Sequence, residues 1–275
     1  MITARLKGGL GNQMFQIAAG YSHAKNIGES FAIDFNITHH GGQGHPHLKY
    51  KDNFFKTIPT ESFKGKDFVI YNEPTFKYSE IVKDEKDMMI DGYFQSEKYF
   101  EKYRDDILNL FTFPDDIVEQ VETKYQKLKE GFDAENVVCV HVRRGEYLQL
   151  QNIHPAQTLA YYKIAMKKFD KPKTVFVVIS DDMDWCEQNL SGDNVALFNT
   201  GYDYFKQPRT NDLLELYDLY LASICNHNII PNSSFGWWGA WLNKNDNTVY
   251  APAVWFGPEG PQDYEDIYCE GWQTL

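Results

Sequence analysis

The chain has 275 residues, 43% of them hydrophobic and 24% charged, a globular composition far from those that stay disordered. Its formal net charge of −12 repels nucleic-acid phosphate and anionic lipid at long range, so no nucleic-acid partner is expected, although a local basic pocket is compatible with that field. No uncharged apolar run reaches the ~18 residues that would span a bilayer, and Met1 to Lys7 carry no apolar signal segment. A cytoplasmic protein without a transmembrane segment is therefore expected, with peripheral association left open. Cys139, Cys186, Cys225 and Cys269 lie far apart without metal-ligand spacing and read as reduced, structural thiols. Aromatic residues make up 16%, most of them read as core, although such rings also stack on sugars and bases.

In chain order, residues 2–6 alternate Ile, Ala and Leu with polar residues. Gly8-Gly9-Leu10-Gly11 then breaks the strand before a helical run from Asn12 to Lys25. Phe31-Ala32-Ile33 reads as a second strand ending at Asp34. The following stretch holds His39, His40, His45 and His47 among glycines. Without a helical i, i+4 pair or a rigid frame, these read as a substrate loop in preference to a metal site. Phe68–Tyr71 and Met88–Ile90 look like short strands, and Ser96–Phe111 and Asp115–Lys129 have helical spacing. The polar end of the latter, before Gly131, Phe132 and Asp133, sets the expected boundary between an α/β domain over 1–132 and a second domain over 133–275.

The second half is more regular. Strands are expected at 137–142, 175–179, 195–198, 228–230 and 248–251, and helices at 156–169, 182–189, 210–225 and 234–242. Short Val/Ile-rich strands alternating with amphipathic helices predict a parallel sheet covered on both faces, an architecture that binds nucleotides.

Four constellations could carry chemistry. His141-Val142-Arg143-Arg144-Gly145-Glu146-Tyr147 lies where a strand ends. Two guanidiniums there suit an anion, because arginine forks onto phosphate oxygens, and the competing reading is a salt bridge to acidic residues. Asn232-Ser233-Ser234-Phe235-Gly236 follows a buried strand and reads as a helix N-cap, whose free N–H groups would also receive phosphate. Trp237, Trp238 and Trp241 are read as core supports around small Gly239 and Ala240. Gly8-Gly9-Leu10-Gly11-Asn12-Gln13 lacks the glycine spacing of a dinucleotide site, while the amides of Asn12 and Gln13 suit a sugar. Asp182-Met183-Asp184 has the spacing of a metal-binding Asp-x-Asp. It also begins a predicted helix, where acidic residues are favoured by the dipole, and that reading is preferred. Asp181, at the strand end, is a candidate partner for guanine or ribose.

Gly8 to Gln16, His141 to Gly145 and Asn232 to Trp241, together with Gly92 to Phe100 and Asp212 to Ile230, resemble the motifs of glycosyltransferase family 11, the α-1,2-fucosyltransferases, over nearly the whole chain. The resemblance implies two Rossmann-like α/β halves facing a cleft (the GT-B type), with GDP-fucose in the second half and the acceptor between the halves. It implies an inverting, metal-independent transfer of L-fucose from GDP-β-L-fucose to the 2-hydroxyl of a terminal galactose in a glycan. No cofactor is implied, GDP-fucose being a co-substrate. Arg143 would grip the diphosphate, supported by His141 and Arg144, with Asn232, Ser233, Ser234, Phe235 and Asp181 completing the donor site and Gly8, Gly9, Asn12 and Gln13 facing the acceptor.

Two positions depart from the pattern: Glu146 stands where the family usually has Asp, and Gly236 where it usually has Ser. Glu146, Asp34 and Asp91 are candidates for the base, with Glu146 first; alternatively Glu146 only neutralises Arg144. Two other readings stay open, a metal-dependent transferase of another sugar nucleotide and a catalytically silent carbohydrate-binding protein.

Overall fold

The computed structural model describes residues 1–36, 48–82, 87–200 and 213–275; the four histidines of the expected substrate loop and Asp212 lie outside them. The chain divides into two compact units, Met1–Thr112 with Asp263–Cys269, and Phe113–Gln262 with Glu270–Leu275.

In the first unit Ile2–Ala4 (β1) is followed by the helix Leu10–Ile27 (α1), which buries Met14, Phe15, Ile17 and Ala18. Gly28 ends α1 at φ 72°, its N–H turned back to the carbonyls of Ala24 and Lys25, a left-handed cap that glycine adopts without steric cost. After a short helix, Leu48–Lys51 (α2), come the strands Val69–Asn72 (β2) and Met88–Asp91 (β3), and the sheet is parallel in the order β1-β3-β2. Central β3 is buried from Met88 to Ile90, whereas edge strand β2 alternates half-buried and exposed. Phe31–Ile33 forms only single bridges, Phe31 to Ile2 and Ile33 to Thr60, and not the expected strand. The expected helix 96–111 is broken into two 3-10 turns and Arg104–Leu110 (α3). Phe100 leaves the helical region at φ −146°, with its buried ring 6.0 Å from that of Phe15.

The second unit starts with Asp115–Gly131 (α4). The strands are Asn136–Val142 (β4), Thr174–Ser180 (β5), Val195–Leu197 (β6), His227–Ile229 (β7), Val249–Ala251 (β8) and Gln273–Thr274 (β9). The intervening helices are Leu159–Lys167 (α5), Met183–Asn189 (α6), Leu214–Ile224 (α7) and Ser234–Trp241 (α8). All six strands are parallel, in the order β6-β5-β4-β7-β8-β9, and β5 and all but the first residue of β4 are buried, as a sheet covered on both faces requires. The units part at Phe113, earlier than the expected boundary at 133, because α4 packs its apolar stripe on α7. Phe113 meets the Tyr220 ring at 4.9 Å, and the Tyr220 hydroxyl donates to Glu122 at 2.7 Å. The expected helix 156–169 is shorter, starting where Thr158 caps the N–H of Tyr161. All four cysteines are buried and free of disulfides.

Candidate functional site

From β4 the second unit's chain winds outward through β5 to β6, then crosses back so that β7 pairs with the other side of β4. In open parallel sheets this reversal leaves a crevice beyond the carboxyl ends of the two strands. Val140 pairs with Ile229. Arg143 and Asn232 each stand three residues further on, so the two motifs leave the sheet side by side.

Arg143 is gripped by two carboxylates. Its Nη2 bonds Glu146 Oε1 and its Nη1 lies 2.9 Å from Asp181 Oδ2, while the guanidinium sits 5.4 Å from the centre of the Tyr147 ring. The backbone N–H of Arg144 donates to Asp181 Oδ1 at 2.9 Å, its Nε donates to Asp182 Oδ2 at 3.0 Å, and its guanidinium lies 4.2 Å over Trp185. Glu146 thus faces Arg143, not Arg144 as the neutralising alternative had it; Arg144 is neutralised by Asp182. Burial pushes the Asp181 carboxyl up, against the opposing pull of Arg143 and the Arg144 N–H. Both its oxygens are directed at the arginines, so Asp181 fixes their placement. Asp182 also caps α6, accepting from Trp185 N at 3.2 Å, and Asp184 lies in the first turn. This is the helix-terminus role preferred from sequence.

His141 is buried, edge-on to Phe235 with ring centres 5.4 Å apart. Burial, then the charge of Arg143, pulls its pKa down to about 3, so the imidazole is neutral at physiological pH. Asn232 is buried and its amide is occupied, Nδ2 donating to Trp255 O at 2.8 Å and Oδ1 accepting from Gln157 Nε2 at 2.9 Å. Its side chain holds the turn, while its carbonyl accepts from the Tyr147 hydroxyl at 3.0 Å. Ser233 occupies the N-cap position of α8, yet its side chain makes no capping bond, contrary to the expectation. The first N–H groups of α8 therefore lack a side-chain cap and remain the positive end of the helix dipole. Trp237, Trp238 and Trp241 are core, and a Cβ on Gly239 would lie 2.7 Å from Ala222 Cβ, the close approach that lets α8 pack on α7.

In the first unit, Gly8 takes φ 78° and accepts from Gln13 Nε2 at 3.0 Å through its carbonyl, while Gly9 stands at the N-cap of α1. Asn12 Oδ1 accepts from Gln95 Nε2 at 2.7 Å. Asp34 receives the N–H groups of Phe63 at 2.8 Å and Asn36 at 2.9 Å. Burial pushes its carboxyl up, but these bonds prevail and hold it below the usual range, so Asp34 pins a turn. Asp91 takes Arg5 at 2.6 Å and Lys7 at 2.8 Å, and despite partial burial it too lies low.

Sequence reasoning assigned no role to Tyr147, Trp185 or Gln157. Tyr147 was legible in principle, since it closes the His141–Tyr147 motif; Trp185 and Gln157 carry no local signal, because what they touch is far along the chain.

The whole chain, residues 1–275, matches the family model described as Glycosyl transferase family 11. It is 32% identical to the "Alpha-1,2-colitosyltransferase" of Escherichia coli, with 94% of this chain and 93% of that one covered. It is 26% identical to the "Galactoside alpha-(1,2)-fucosyltransferase 2" of Oryctolagus cuniculus, covering 95% and 72%. Among solved structures it is similar in fold to NodZ alpha-1,6-fucosyltransferase co-crystallized with GDP, at TM-score 0.56 and 16% identity over 86% of this chain and 91% of that one. No helix among the described residues is long and apolar enough to cross a membrane.

Proposed function

The chain belongs to glycosyl transferase family 11, and from that membership we propose that it is an inverting α-1,2-fucosyltransferase. It moves L-fucose from GDP-β-L-fucose to the 2-hydroxyl of a terminal galactose in a glycan. The observation that carries the reading is the strand register that sets Arg143 beside the Asn232–Ser234 turn at the reversal point of the second sheet. A planar fork and the positive end of a helix there suit a nucleoside diphosphate from two sides. The named activities of the rabbit relative and of NodZ, and the GDP in the latter, support the same donor.

In this reading the acceptor O2–C1 bond forms as the bond from fucose C1 to the phosphate oxygen breaks, inverting C1, and GDP leaves with the electron pair. Arg143 meets the charge that develops on the leaving oxygen, and Arg144 adds to the field. The acceptor proton goes to a carboxylate, Glu146 first: one oxygen holds Arg143, while buried Oε2 has no hydrogen-bond partner among the described residues. The arginines supply the positive charge, so the transfer proceeds without a metal. The donor supplies the group transferred, and no cofactor is needed.

The test is GDP-fucose with and without lactose, the product linkage read by NMR and the assay repeated in EDTA. An α-1,2-linked fucosyl lactose formed equally in chelator is expected. Failure to bind GDP would overturn the donor site, and loss of activity in EDTA restored by Mn²⁺ would reinstate the metal-dependent alternative. The E. coli relative favours a second reading, colitose as the transferred sugar. Competition between the two sugar nucleotides decides it.

A further inference from the structure

The ladder between β4 and β7 ends at Val140 and Ile229. Beyond it, Arg143 and the turn that opens α8 leave the sheet as two separate segments, and the side chain of Tyr147 touches both.

Tyr147 follows Arg143 by four residues, in the 3-10 turn Glu146–Gln149. Its ring is buried and carries the Arg143 guanidinium over it, 5.4 Å from the ring centre. Its hydroxyl donates to Asn232 O at 3.0 Å, one residue before the N-cap of α8. The His154 imidazole stacks on the same ring, centres 5.0 Å apart and planes 17° apart, and Phe256 packs on His154 at 5.5 Å. Gln151 Nε2 donates to the Tyr147 carbonyl at 2.9 Å. Burial pushes the phenol up to about 12, so the hydroxyl keeps its proton and donates at physiological pH.

The ring does for Arg143 what its carboxylate partners do not. Glu146 and Asp181 each engage one nitrogen of the fork and cancel part of its charge. A neutral π face attracts the guanidinium through its quadrupole, uses none of its N–H groups and adds no negative charge for an incoming anion to meet. Confining a long, flexible arginine in this way also leaves less freedom to be lost when a ligand binds. A buried tyrosine bonded to a carbonyl is ordinary packing in many proteins. Here its two ends grip the guanidinium at the end of β4 and the turn at the positive end of α8, the two groups that face one crevice.

We propose that Tyr147 is a positioning residue for the donor diphosphate: it ties the Arg143 guanidinium to the tip of α8, so that the two meet a nucleoside diphosphate as one preformed site. The identity of that ligand rests on the proposed function.

The experiment uses the full chain with GDP as the probe. Calorimetry reads GDP affinity, urea denaturation reads folding, and kcat and the lactose KM are taken with GDP-fucose. Tyr147→Phe keeps the ring and loses the bond to Asn232, and is expected to lower GDP affinity and kcat about fivefold, the scale of one buried hydrogen bond. Tyr147→Leu loses the ring as well and should lower both by ~20-fold, with the lactose KM within about twofold of wild type. Relative placement matters only while both groups are present, so in an Arg143→Ala chain the same substitutions should cost less than about twofold in GDP affinity. A packing defect alone would cost the same in both backgrounds, and that result would overturn the role. So would GDP affinity within about twofold of wild type in both single variants. Should Tyr147→Leu fail to fold, Tyr147→Phe decides by the same criteria. A wild-type protein that binds no GDP sinks the function and this role with it, whereas normal GDP binding with both variants unmoved sinks the role alone.

Discussion

Gly236 stands against the ring of His141 so closely that a Cβ built on it would lie 2.5 Å from Nδ1, with Pro231 Cδ at 3.2 Å. The absence of a side chain at 236 and the buried imidazole at 141 are one packing arrangement, and it joins the first turn of α8 to the end of β4. Gly236→Ala forces ring or helix to move and is expected to cost ~1–3 kcal/mol, as overpacking of a tight core does. In a His141→Ala background the same change should cost little. Urea denaturation of the two singles and the double measures this, and additive costs would remove the coupling.

His141 also gives stability a pH dependence. Its pKa is about 3 in the folded chain against an ordinary value of 6.5. Above 6.5 both states are neutral and the site imposes no penalty; below it the unfolded chain takes up a proton that the folded chain refuses, so stability falls with pH down to about 3. At 1.36 kcal/mol per pH unit, roughly 2 kcal/mol is lost between pH 6.5 and pH 5. Urea midpoints over that interval for the wild type and His141→Asn should converge as pH falls; parallel curves would contradict the burial argument.

Arg143→Lys keeps a charge but loses the fork between Glu146 and Asp181. If the guanidinium meets charge on the leaving phosphate, turnover should fall by ~10² or more, the scale of removing one transition-state donor. Steady-state kcat with GDP-fucose reads it, and wild-type turnover would take Arg143 out of the chemistry.

Asp218 is buried on α7, with Oδ1 lacking a hydrogen-bond partner among the described residues. Burial, then the charge of Glu215, pushes its carboxyl far above the ordinary range, with Lys124 pulling weakly the other way. A raised carboxyl makes folding less favourable as pH climbs past its unfolded value, because the unfolded chain releases the proton freely. Asp218→Asn removes that dependence. The variant should be more stable than wild type at pH 8, with the gain shrinking toward pH 4. A gain that grows toward pH 4 would refute it.

The site's ingredients were legible in short stretches. Arg143 and Arg144 after an apolar strand, and Asn232-Ser233-Ser234 after another, could be read because strand ends, caps and charged turns are local properties of a few residues. So could the role of Asp182 at the start of α6. Less legible were Ser233, which lies at the cap position but makes no capping bond, and the stretch 96–111, where Phe100 leaves the helix to bury its ring against Phe15. At Phe100 a partner distant in the chain outweighs a local preference.

By itself the sequence determined the alternation of strand and helix, the parallel buried sheet of the second half and the residue types available for chemistry, because periodicity and turn residues act over a few positions. Only the tertiary structure decided who faces whom. The β4–β7 pairing sets Arg143 beside Asn232, Glu146 and Asp181 converge on one guanidinium while Asp182 takes the next, and α4 joins the second unit through α7. Those outcomes depend on strand order and on contacts between residues tens of positions apart, which no local pattern encodes.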